Sequence, residues 1–562
     1  MKVKFFTLVA ILIIVVAGFV VYLNMNKDSV EADKDFSTED ISAQPTASPT
    51  LSATQTPTVD TSTDTNLYPV YQRVEGINVY GYINAKGEIA IKPSFEAASD
   101  FHEDNAVVYM DNQYMVIDKK GSILYSNDYL ISDYQNGMAV ISEYNGDNLL
   151  YGYIDSAGKK VIQPQFKLAS DFSKENTAYV YLDNGKFAKI DKSGKILERY
   201  EQDTKYNPSS IQDGYIIYND NSSNNFGVIN VKGEQIIKPN YSDITYLGND
   251  LFALRESEDA VYGMLSAVPA ALFNAKGEQV TDYVLYDISS FYNGVASVTD
   301  STYTYFIGTD GKTVTDLPKF EGRGTVTLLG NVIKADIDGR LTYYKKDSTV
   351  IWQEAKDRIL EGGIIVKDNK FKPNKYVYVY YPQIEGLTDS TIKTSINTRL
   401  KSLFLDHRKD IKEKDMLSVA DSFQASLIKN LLIIEKEGYD YPFGAAHGTP
   451  IRKYYYIDIT NGTFYEFKDL FLADSEYIKK VNEIVTSEME LRSQDENSML
   501  FFDTFEGISE TPDFKISADA LTIFFTPYEV AAYAAGFPEF EIPFEVIYDY
   551  IDFNGAFWNA FK

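Results

Sequence analysis

Apolar and polar positions alternate through the middle of the chain, which is the pattern of half-buried β-strands. In the stretch YGYIDSAGKKVIQPQF, the side chains of Tyr151 and Tyr153 fall on one face of such a strand. Asp155 and Gly158 stand at the first and fourth positions of a turn, where Asp accepts hydrogen bonds from the following backbone. Pro164 cannot donate to a ladder, so it ends the return strand or lies at an edge. The stretch therefore predicts a β-hairpin with its own stop signals.

This hairpin pattern is repeated along the chain. Close copies are YGYINAKGEIAIKPSF at 80–95 and FGVINVKGEQIIKPNY at 226–241. The turn glycines recur every 34 to 44 residues, at Gly87, Gly121, Gly158, Gly194, Gly233, Gly277 and Gly311. A period in this range is typical of repeat proteins, and one hairpin alone is marginally stable. Neighbouring units must therefore stack to bury a common core.

The units resemble the WG-repeat family, in which Trp-Gly-Tyr-Ile-Asp is followed by Gly-Lys, an apolar pair and Pro. The resemblance covers roughly residues 71–350, and the family's tryptophan is replaced by Tyr80, Tyr151, Phe226 and Tyr262. It implies an all-β repeat domain, either closed as a propeller or stacked as an open β-solenoid. The sequence does not decide between these arrangements.

From about residue 372 the pattern mixes helical and strand periodicity. One helical stripe, capped near Asp389, is formed by Ile392, Ile396, Leu400 and Leu403. A second helix is predicted after Ser475, which we expect to be its cap. Strands, including a hairpin around Asn461–Gly462, lie before and between the helices. Mixed order with antiparallel hairpins indicates an α+β domain.

The N-terminal region contains an uncharged apolar run, Phe5–Leu23, preceded by Lys2 and Lys4. At about 1.5 Å per residue this run matches a hydrocarbon core about 30 Å thick. Because it lacks a small-residue cleavage site, we expect an uncleaved signal anchor with its N-terminus inside. The Ser-, Thr- and Pro-rich segment that follows predicts a disordered spacer. The predicted location is the cell membrane, with a single pass and most of the chain extracytoplasmic.

The predicted fold class is multidomain: an N-terminal transmembrane helix, an all-β repeat domain of short hairpin units, and an α+β domain. The predicted boundaries are a signal anchor at 1–27, a spacer at 28–66, a β-repeat domain at 67–352, a connector at 353–371 and an α+β domain at 372–562.

Composition narrows the possible chemistry. The formal net charge of −28 would repel nucleic acid. The chain has no cysteine, which excludes disulfides and thiolate sites. Its three histidines are isolated, and no nucleophile elbow or phosphate loop is present. We therefore expect no catalytic residues, no metal site and no cofactor.

The C-terminal part resembles the extracytoplasmic domain of RsiV-type anti-sigma factors, which also accompanies polysaccharide deacetylase domains in some peptidoglycan deacetylases. The matching motifs are GAAHG at 444–448, YYYIDITNGTFYEFKDLF and FFTPYEVAAYAAGFPEFEIPF. The resemblance implies an envelope domain, and lysozyme binding is known for RsiV-type members. Only MKVK precedes the predicted span, so the sigma-binding domain of those regulators is missing.

Candidate binding residues lie in the last motif and in GAAHG. Large aromatic anchors and acidic residues that suit a cationic partner are Tyr528, Glu529, Tyr533, Phe537, Glu539, Phe540, Glu541 and, from the earlier motif, His447. The alternative is that these aromatic side chains fill the domain core.

These features predict a membrane-anchored, non-catalytic binding or sensing protein of a bacterial envelope. Its expected ligands are peptidoglycan or a cationic wall-active protein, for example one similar to lysozyme. The alternatives are a cell-wall-modifying enzyme, or an accessory subunit of one, and a passive spacer scaffold. The oligomeric state is not predicted.

Overall fold

A computed structural model describes residues 65–74, 77–200, 207–220, 222–256, 268–354, 357–495 and 498–562. The predicted anchor, at 1–27, and all but the end of the predicted spacer lie outside these residues. Within the described part of the chain, no helix is both long enough and apolar enough to cross a membrane.

The repeat region consists of antiparallel sheets whose strands follow chain order. The first sheet contains β1 (Tyr68–Val74), β2 (Ile77–Ile83) and β3 (Ile89–Phe95). The second contains β4 (Ala97–Ala98), β5 (Asn105–Met110), β6 (Gln113–Asp118) and β7 (Ile123–Asn127). The third contains β8 (Met138–Asn145), β9 (Asn148–Asp155) and β10 (Lys160–Phe166). The fourth contains β11 (Leu168–Ala169), β12 (Thr177–Tyr181), β13 (Phe187–Asp191) and β14 (Ile196–Tyr200).

The fifth sheet has six strands and combines two repeat units, because its long strand β18 runs from one unit into the next. It contains β15 (Asn207–Gln212), β16 (Tyr215–Asp220), β17 (Asn225–Asn230), β18 (Gln235–Gly248), β19 (Leu251–Glu256) and β20 (Ala271–Asn274). The sixth contains β21 (Val295–Thr299), β22 (Tyr303–Gly308) and β23 (Phe320–Glu321). The last contains β24 (Gly324–Leu329), β25 (Val332–Ile337), β26 (Arg340–Lys345) and β27 (Val350–Gln353).

The turn chemistry of the hairpins matches the prediction. The Asp155 carboxylate accepts hydrogen bonds from the backbone N–H groups of Ala157 and Lys159, at 3.0 and 2.9 Å. Gly158 adopts a positive φ of 77° at the fourth position of this turn. Pro164 lies in β10, an edge strand of the third sheet. The repeated sequence therefore specifies a β-hairpin.

Hydrophobic clusters lie between consecutive repeat units. Side chains of the first and second sheets share one cluster, which includes Tyr82, Ile91 and Val108. The last sheet packs against the first in the same way, through a cluster that includes Tyr68 and Tyr343. The hydroxyl of Tyr343 also donates a hydrogen bond to the carbonyl oxygen of Pro69, at 2.6 Å. The series of contacts between sheets therefore returns to its start.

The C-terminal region contains a seven-stranded sheet and a three-stranded sheet. The larger contains β28 (Arg358–Ile359), β29 (Ile365–Asn374), β30 (Val377–Glu385), β31 (Leu417–Ile428), β32 (Leu431–Pro442), β33 (Thr449–Asp458) and β34 (Phe464–Tyr465). The smaller contains β35 (Phe514–Ile516), β36 (Ala520–Phe524) and β37 (Glu539–Pro543). Short 3-10 helices occur at Glu361–Gly363, Glu413–Asp415, Phe467–Leu470, Phe502–Thr504, Tyr533–Ala535 and Phe544–Tyr550.

Three α-helices accompany these sheets: α1 (Ser390–Leu405), α2 (Tyr477–Ser493) and α3 (Ala556–Phe561). Asp389 caps α1, because its carboxylate accepts hydrogen bonds from the N–H groups of Thr391 and Ile392. Ile396 and Leu400 are fully buried against the larger sheet. The cap predicted for the second helix is wrong. Ser475 lies one residue too early, and the N-cap is Glu476, which makes no side-chain capping bond.

The predicted connector at 353–371 is not a linker. It contains β28 and most of β29, so the larger C-terminal sheet begins at Arg358, ahead of the predicted boundary at 372. Sequence reasoning missed these strands because β29 reads IVKDNKFKPN, whose polar side chains resemble those of a loop. Several of these polar groups bind the last sheet of the repeat region instead of facing solvent.

Candidate functional site

The GAAHG motif lies in the loop between β32 and β33. The end of this loop is held by Tyr439, whose hydroxyl accepts a hydrogen bond from the backbone N–H of Gly448 at 2.8 Å. A Cβ atom at Gly448 would lie only 2.5 Å from the Tyr439 ring, so glycine is needed for this close approach. The loop thus presents His447 beside Tyr439.

The motif TPYEVAAYAAG forms a compact loop between β36 and β37. Tyr528 has a φ of 71°, in the left-handed region that bulky residues rarely occupy. The Glu529 carboxylate accepts hydrogen bonds from the N–H and the hydroxyl of Thr526, both at 2.9 Å. The N–H of Tyr528 donates to the carbonyl oxygen of Ala531, at 3.1 Å. Glu529 therefore fixes the turn that holds Tyr528 in this strained conformation.

The two loops meet at a group of four rings, Tyr439, His447, Tyr528 and Tyr533, which we call the aromatic cluster. The His447 ring stacks on Tyr533, with ring centroids 3.8 Å apart and an interplanar angle of 27°. Its other ring neighbour is Tyr528, at 5.7 Å and 29°. The hydroxyl of Tyr528 lies 2.8 Å from His447 Nε2. Residues 81 positions apart in the chain thus form one structure.

The hydrogen bonds of His447 determine its neutral tautomer. Its Nδ1 lies 3.0 Å from the carbonyl oxygen of Gly448. Because a carbonyl oxygen only accepts, Nδ1 carries the proton and donates. In the neutral ring Nε2 is then an acceptor, and Tyr528 donates its hydroxyl proton to it. These bonds orient the imidazole between the two tyrosines.

The aromatic cluster is partly open to solvent. The exposed fractions of Tyr528 and Tyr439 are 58% and 41%. Burial, followed by a hydrogen bond with Tyr439, raises the pKa of the Tyr533 hydroxyl, so this ring stays uncharged at neutral pH. The cluster therefore offers tyrosine rings whose hydroxyls are held by neighbouring groups. Such a surface suits stacking against a sugar ring or another flat or apolar group.

The three predicted acidic residues do not form one surface. Glu529 is exposed but binds Thr526. Glu539 is ion-paired with Arg452 at 2.6 Å and with Lys515 at 2.5 Å. Glu541 is exposed, and no ion pair to it is found among the described residues. Of the three charges, two thus have structural partners, and Glu541 alone is left as a candidate for a cationic ligand.

Two of the predicted aromatic anchors lie outside the aromatic cluster. Phe540 is 1% exposed and belongs to the main core of the C-terminal region, so its assignment to a binding surface is wrong. Strand alternation explains this, because Phe540 and Ile542 face the core while Glu539 and Glu541 face outward. Phe537 is half-buried, and the guanidinium of Arg452 lies 4.5 Å from its ring. Tyr528, Tyr533 and His447 are the predicted residues that the structure brings together.

Sequence reasoning missed Tyr439 and Arg452. Tyr439 lies in the strand sequence EGYDYP, where an aromatic residue is ordinary. Its position nine residues before Gly448 gives a hairpin contact that could have been predicted from the turn. The pairing of Arg452 with Glu539 is a long-range contact with no local signal.

Two protein-family models match parts of the chain. The model described as WG containing repeat matches 80–114, 151–187 and 226–256. The model described as Protein of unknown function (DUF3298) matches 468–545. The middle region thus contains WG repeats, and the C-terminal region contains a DUF3298 domain. No curated protein matches the chain.

Several solved structures are similar to parts of the chain. A DUF3298-family protein of Bacteroides fragilis is 16% identical over 35% of this chain and 95% of its own, with a TM-score of 0.27. A DUF3298-family protein of Pseudomonas aeruginosa is 16% identical over 35% and 97%, with a TM-score of 0.28. BamB from Moraxella catarrhalis is 12% identical over 51% and 95%, with a TM-score of 0.28.

Proposed function

We propose that this chain is a membrane-anchored, extracytoplasmic binding protein that recognises cell-wall glycan through the aromatic cluster. The observation that carries the proposal is the exposed ring of Tyr528, held beside His447 by a strained backbone. A bulky residue in the left-handed region costs about 1–3 kcal/mol and persists where the surrounding structure fixes it. Such strain is common at ligand-binding sites.

Three further features support this proposal. The apolar run Phe5–Leu23 provides the membrane anchor in the proposed topology. The net charge of −28 disfavours polyanionic ligands, whereas a neutral glycan is not repelled. The motifs around His447 and Tyr528 are those that resemble RsiV-type extracytoplasmic domains, and we infer that the C-terminal domain is related to them.

We also infer that the repeat units form a β-propeller rather than an open solenoid. Packing of the last sheet on the first supports a closed arrangement, since the ends of a solenoid do not meet.

The glycan proposal is tested by co-sedimentation of the full chain with purified peptidoglycan. Replacing one ring, by Tyr528→Ala or Tyr439→Ala, should remove about 1 kcal/mol of stacking energy. This corresponds to a roughly fivefold weaker Kd. Tyr303→Ala is the matched control, because Tyr303 is 40% exposed but lies in the repeat region. Equal binding by all three variants, or no binding by the unmutated chain, would refute the proposal.

A cationic wall-active protein is the second candidate ligand, favoured by the exposed carboxylate of Glu541. Glu541→Lys should weaken such binding, and added salt should do the same. Isothermal titration with a lysozyme measures both effects. Glu541→Gln is a control for loss of charge without reversal, and salt-independent binding would contradict this candidate.

A further inference from the structure

The last sheet of the repeat region and the hairpin β29–β30 of the C-terminal region are joined by ion pairs whose carboxylates are buried. Asp338, whose side chain is 1% exposed, contacts the ammonium groups of Lys370 and Lys372. The Lys372 Nζ atom lies 2.5 Å from Asp338 Oδ1, which also accepts the backbone N–H of Arg323 at 2.9 Å. A buried carboxylate of the repeat region is thus neutralised by the C-terminal region.

Arg340 makes a second connection across the same boundary. Its NH1 group donates to Glu354 Oε1 at 2.8 Å, within the repeat region. Its NH2 group donates to Asp368 Oδ2 at 2.6 Å, in β29. The guanidinium also lies 4.1 Å from the ring centroid of Tyr380, in β30. One side chain therefore serves both regions.

Glu354 extends this connection to the first sheet. The hydroxyl of Tyr71, in β1, donates to Glu354 Oε2 at 2.6 Å. Tyr71, Glu354, Arg340 and Asp368 thus form an uninterrupted series of hydrogen bonds, which we call the closure network. It joins the start of the repeat region, its end and the C-terminal region.

Arg340 is the residue of the closure network whose removal should destabilise the protein most. The side chains of Glu354 and Asp368 are 20% and 2% exposed, so removal of Arg340 leaves two buried or half-buried carboxylates without their cation. Removing one partner of a buried ion pair is strongly destabilising, because the other charge is left uncompensated. Two atoms of the network, Arg340 Nε and Asp368 Oδ1, are buried without a hydrogen-bond partner among the described residues. Opening the network returns these atoms to water, which offsets part of the stabilisation of the closed state.

We propose that the closure network couples closure of the repeat ring to docking of the C-terminal domain. When the C-terminal domain is docked, Asp368 holds Arg340 in place, and Arg340 holds Glu354 ready to accept the Tyr71 hydroxyl. When the first sheet separates from the last, Glu354 loses its hydrogen bond from Tyr71. Glu354 then holds Arg340 less firmly in position for its bond to Asp368. Because such coupling is reciprocal, separation of the first sheet from the last weakens docking, and undocking weakens closure. The inference rests in part on the closed repeat arrangement inferred above.

Hydrogen–deuterium exchange of the full chain tests this coupling. The two reporters are peptides covering Tyr68–Ile83, for closure, and 365–385, for docking. Arg340→Met, which keeps much of the volume but removes the charge, should accelerate exchange in both reporters by at least about fivefold. Lys160→Met is the matched control, because Lys160 is ion-paired with Glu143 in the third sheet, away from both joints. It should leave both reporters unchanged.

Two milder variants keep the test decisive if Arg340→Met does not fold. Asp368→Asn alters only the C-terminal side of the network, yet it should accelerate exchange in Tyr68–Ile83. Tyr71→Phe alters only the first sheet, yet it should accelerate exchange in 365–385. Acceleration confined to each variant's own side, or no acceleration by any of them, would overturn the proposal.

Discussion

The repeat hairpins depend on glycine after the aromatic residue, and Gly152→Ala tests why. A Cβ atom at Gly152 would lie 2.4 Å from the carbonyl oxygen of Ile162, 2.6 Å from Pro164 N and 2.8 Å from the carbonyl carbon of Gln163. All three are backbone atoms of β10, so no side-chain rotation relieves the contact. The strands β9 and β10 must separate, or the ladder between them must shift.

The expected cost lies at the upper end of the range for overpacking, about 3 kcal/mol. Gly146→Ala is the matched control. Gly146 has a positive φ of 61° in the neighbouring turn, and a Cβ atom added there would have no other atom within 4 Å. Alanine at this position should cost about 1–2 kcal/mol from backbone strain alone. The φ of Gly152 lies outside the left-handed region, so Gly152→Ala carries no such strain, and its cost comes from the contact with β10.

Urea unfolding of the full chain, followed by far-ultraviolet circular dichroism, measures both variants. The transition of the repeat region should occur at lower urea in Gly152→Ala than in Gly146→Ala, with the slope unchanged. A midpoint for Gly152→Ala equal to or above that of Gly146→Ala would refute the steric explanation. The aromatic-glycine pair of each repeat would then need a physical reason other than close approach of the return strand.

Three further predictions concern charge and positioning. Desolvation by the surrounding protein, followed by the charges of Asp133 and Asp213, raises the pKa of Asp171 to about 6, although the side chain is exposed. Stability should therefore rise as the pH falls from above 6 towards the ordinary pKa of about 3.8, by a small amount because solvent screens an exposed side chain. Asp171→Asn should remove this rise in thermal melts, and an unchanged profile would contradict it. Burial opposes ionisation of Asp338, but hydrogen bonds from Lys370, Lys372 and the Arg323 N–H outweigh this effect and lower the pKa of Asp338. Docking, measured by hydrogen exchange in 365–385, should therefore weaken only below about pH 4. Weakening already at about pH 6 would contradict this prediction. Glu529→Ala should weaken peptidoglycan binding as Tyr528→Ala does, because Glu529 fixes the turn. Glu529→Gln keeps an acceptor oxygen and should bind normally. Loss of binding in both variants would assign Glu529 a direct contact with the ligand.

The parts of the fold that the sequence predicts are those set by local chemistry. The turn formed by Asp155 and Gly158, the edge position of Pro164 and the cap at Asp389 all follow from residue type and short spacing. Such features can be predicted without the rest of the chain. The helical stripe at Ile396 and Leu400 is of the same kind, because periodicity reports which face is buried.

The features that the sequence does not predict depend on distant partners. The strand β29 looks like a linker until Asp338 and Arg340 are placed opposite its lysines and Asp368. Glu539 looks available until Arg452, 87 residues earlier, is placed beside it. In the candidate site, both motifs are visible in the sequence, but their meeting through His447 and Tyr528 is a tertiary contact. A charged residue in the sequence thus indicates that an oppositely charged partner exists, but it does not identify that partner.

The tyrosines of this chain differ in burial and in the partner of the hydroxyl group. In the repeats, Tyr82 and Tyr153 are fully buried, and their hydroxyls donate to the carbonyl oxygens of Ser99 and Ser170 at equivalent positions of neighbouring units. Each hydroxyl is satisfied by the backbone, so these rings serve packing alone. Tyr528 differs in both respects, because its ring is exposed and its hydroxyl is bonded to a side chain in another loop. An exposed ring whose hydroxyl is held by a side chain can exchange that bond for one to a ligand, whereas a buried ring bonded to backbone cannot. This difference favours the aromatic cluster over buried repeat tyrosines such as Tyr82 and Tyr153 as a candidate for recognition.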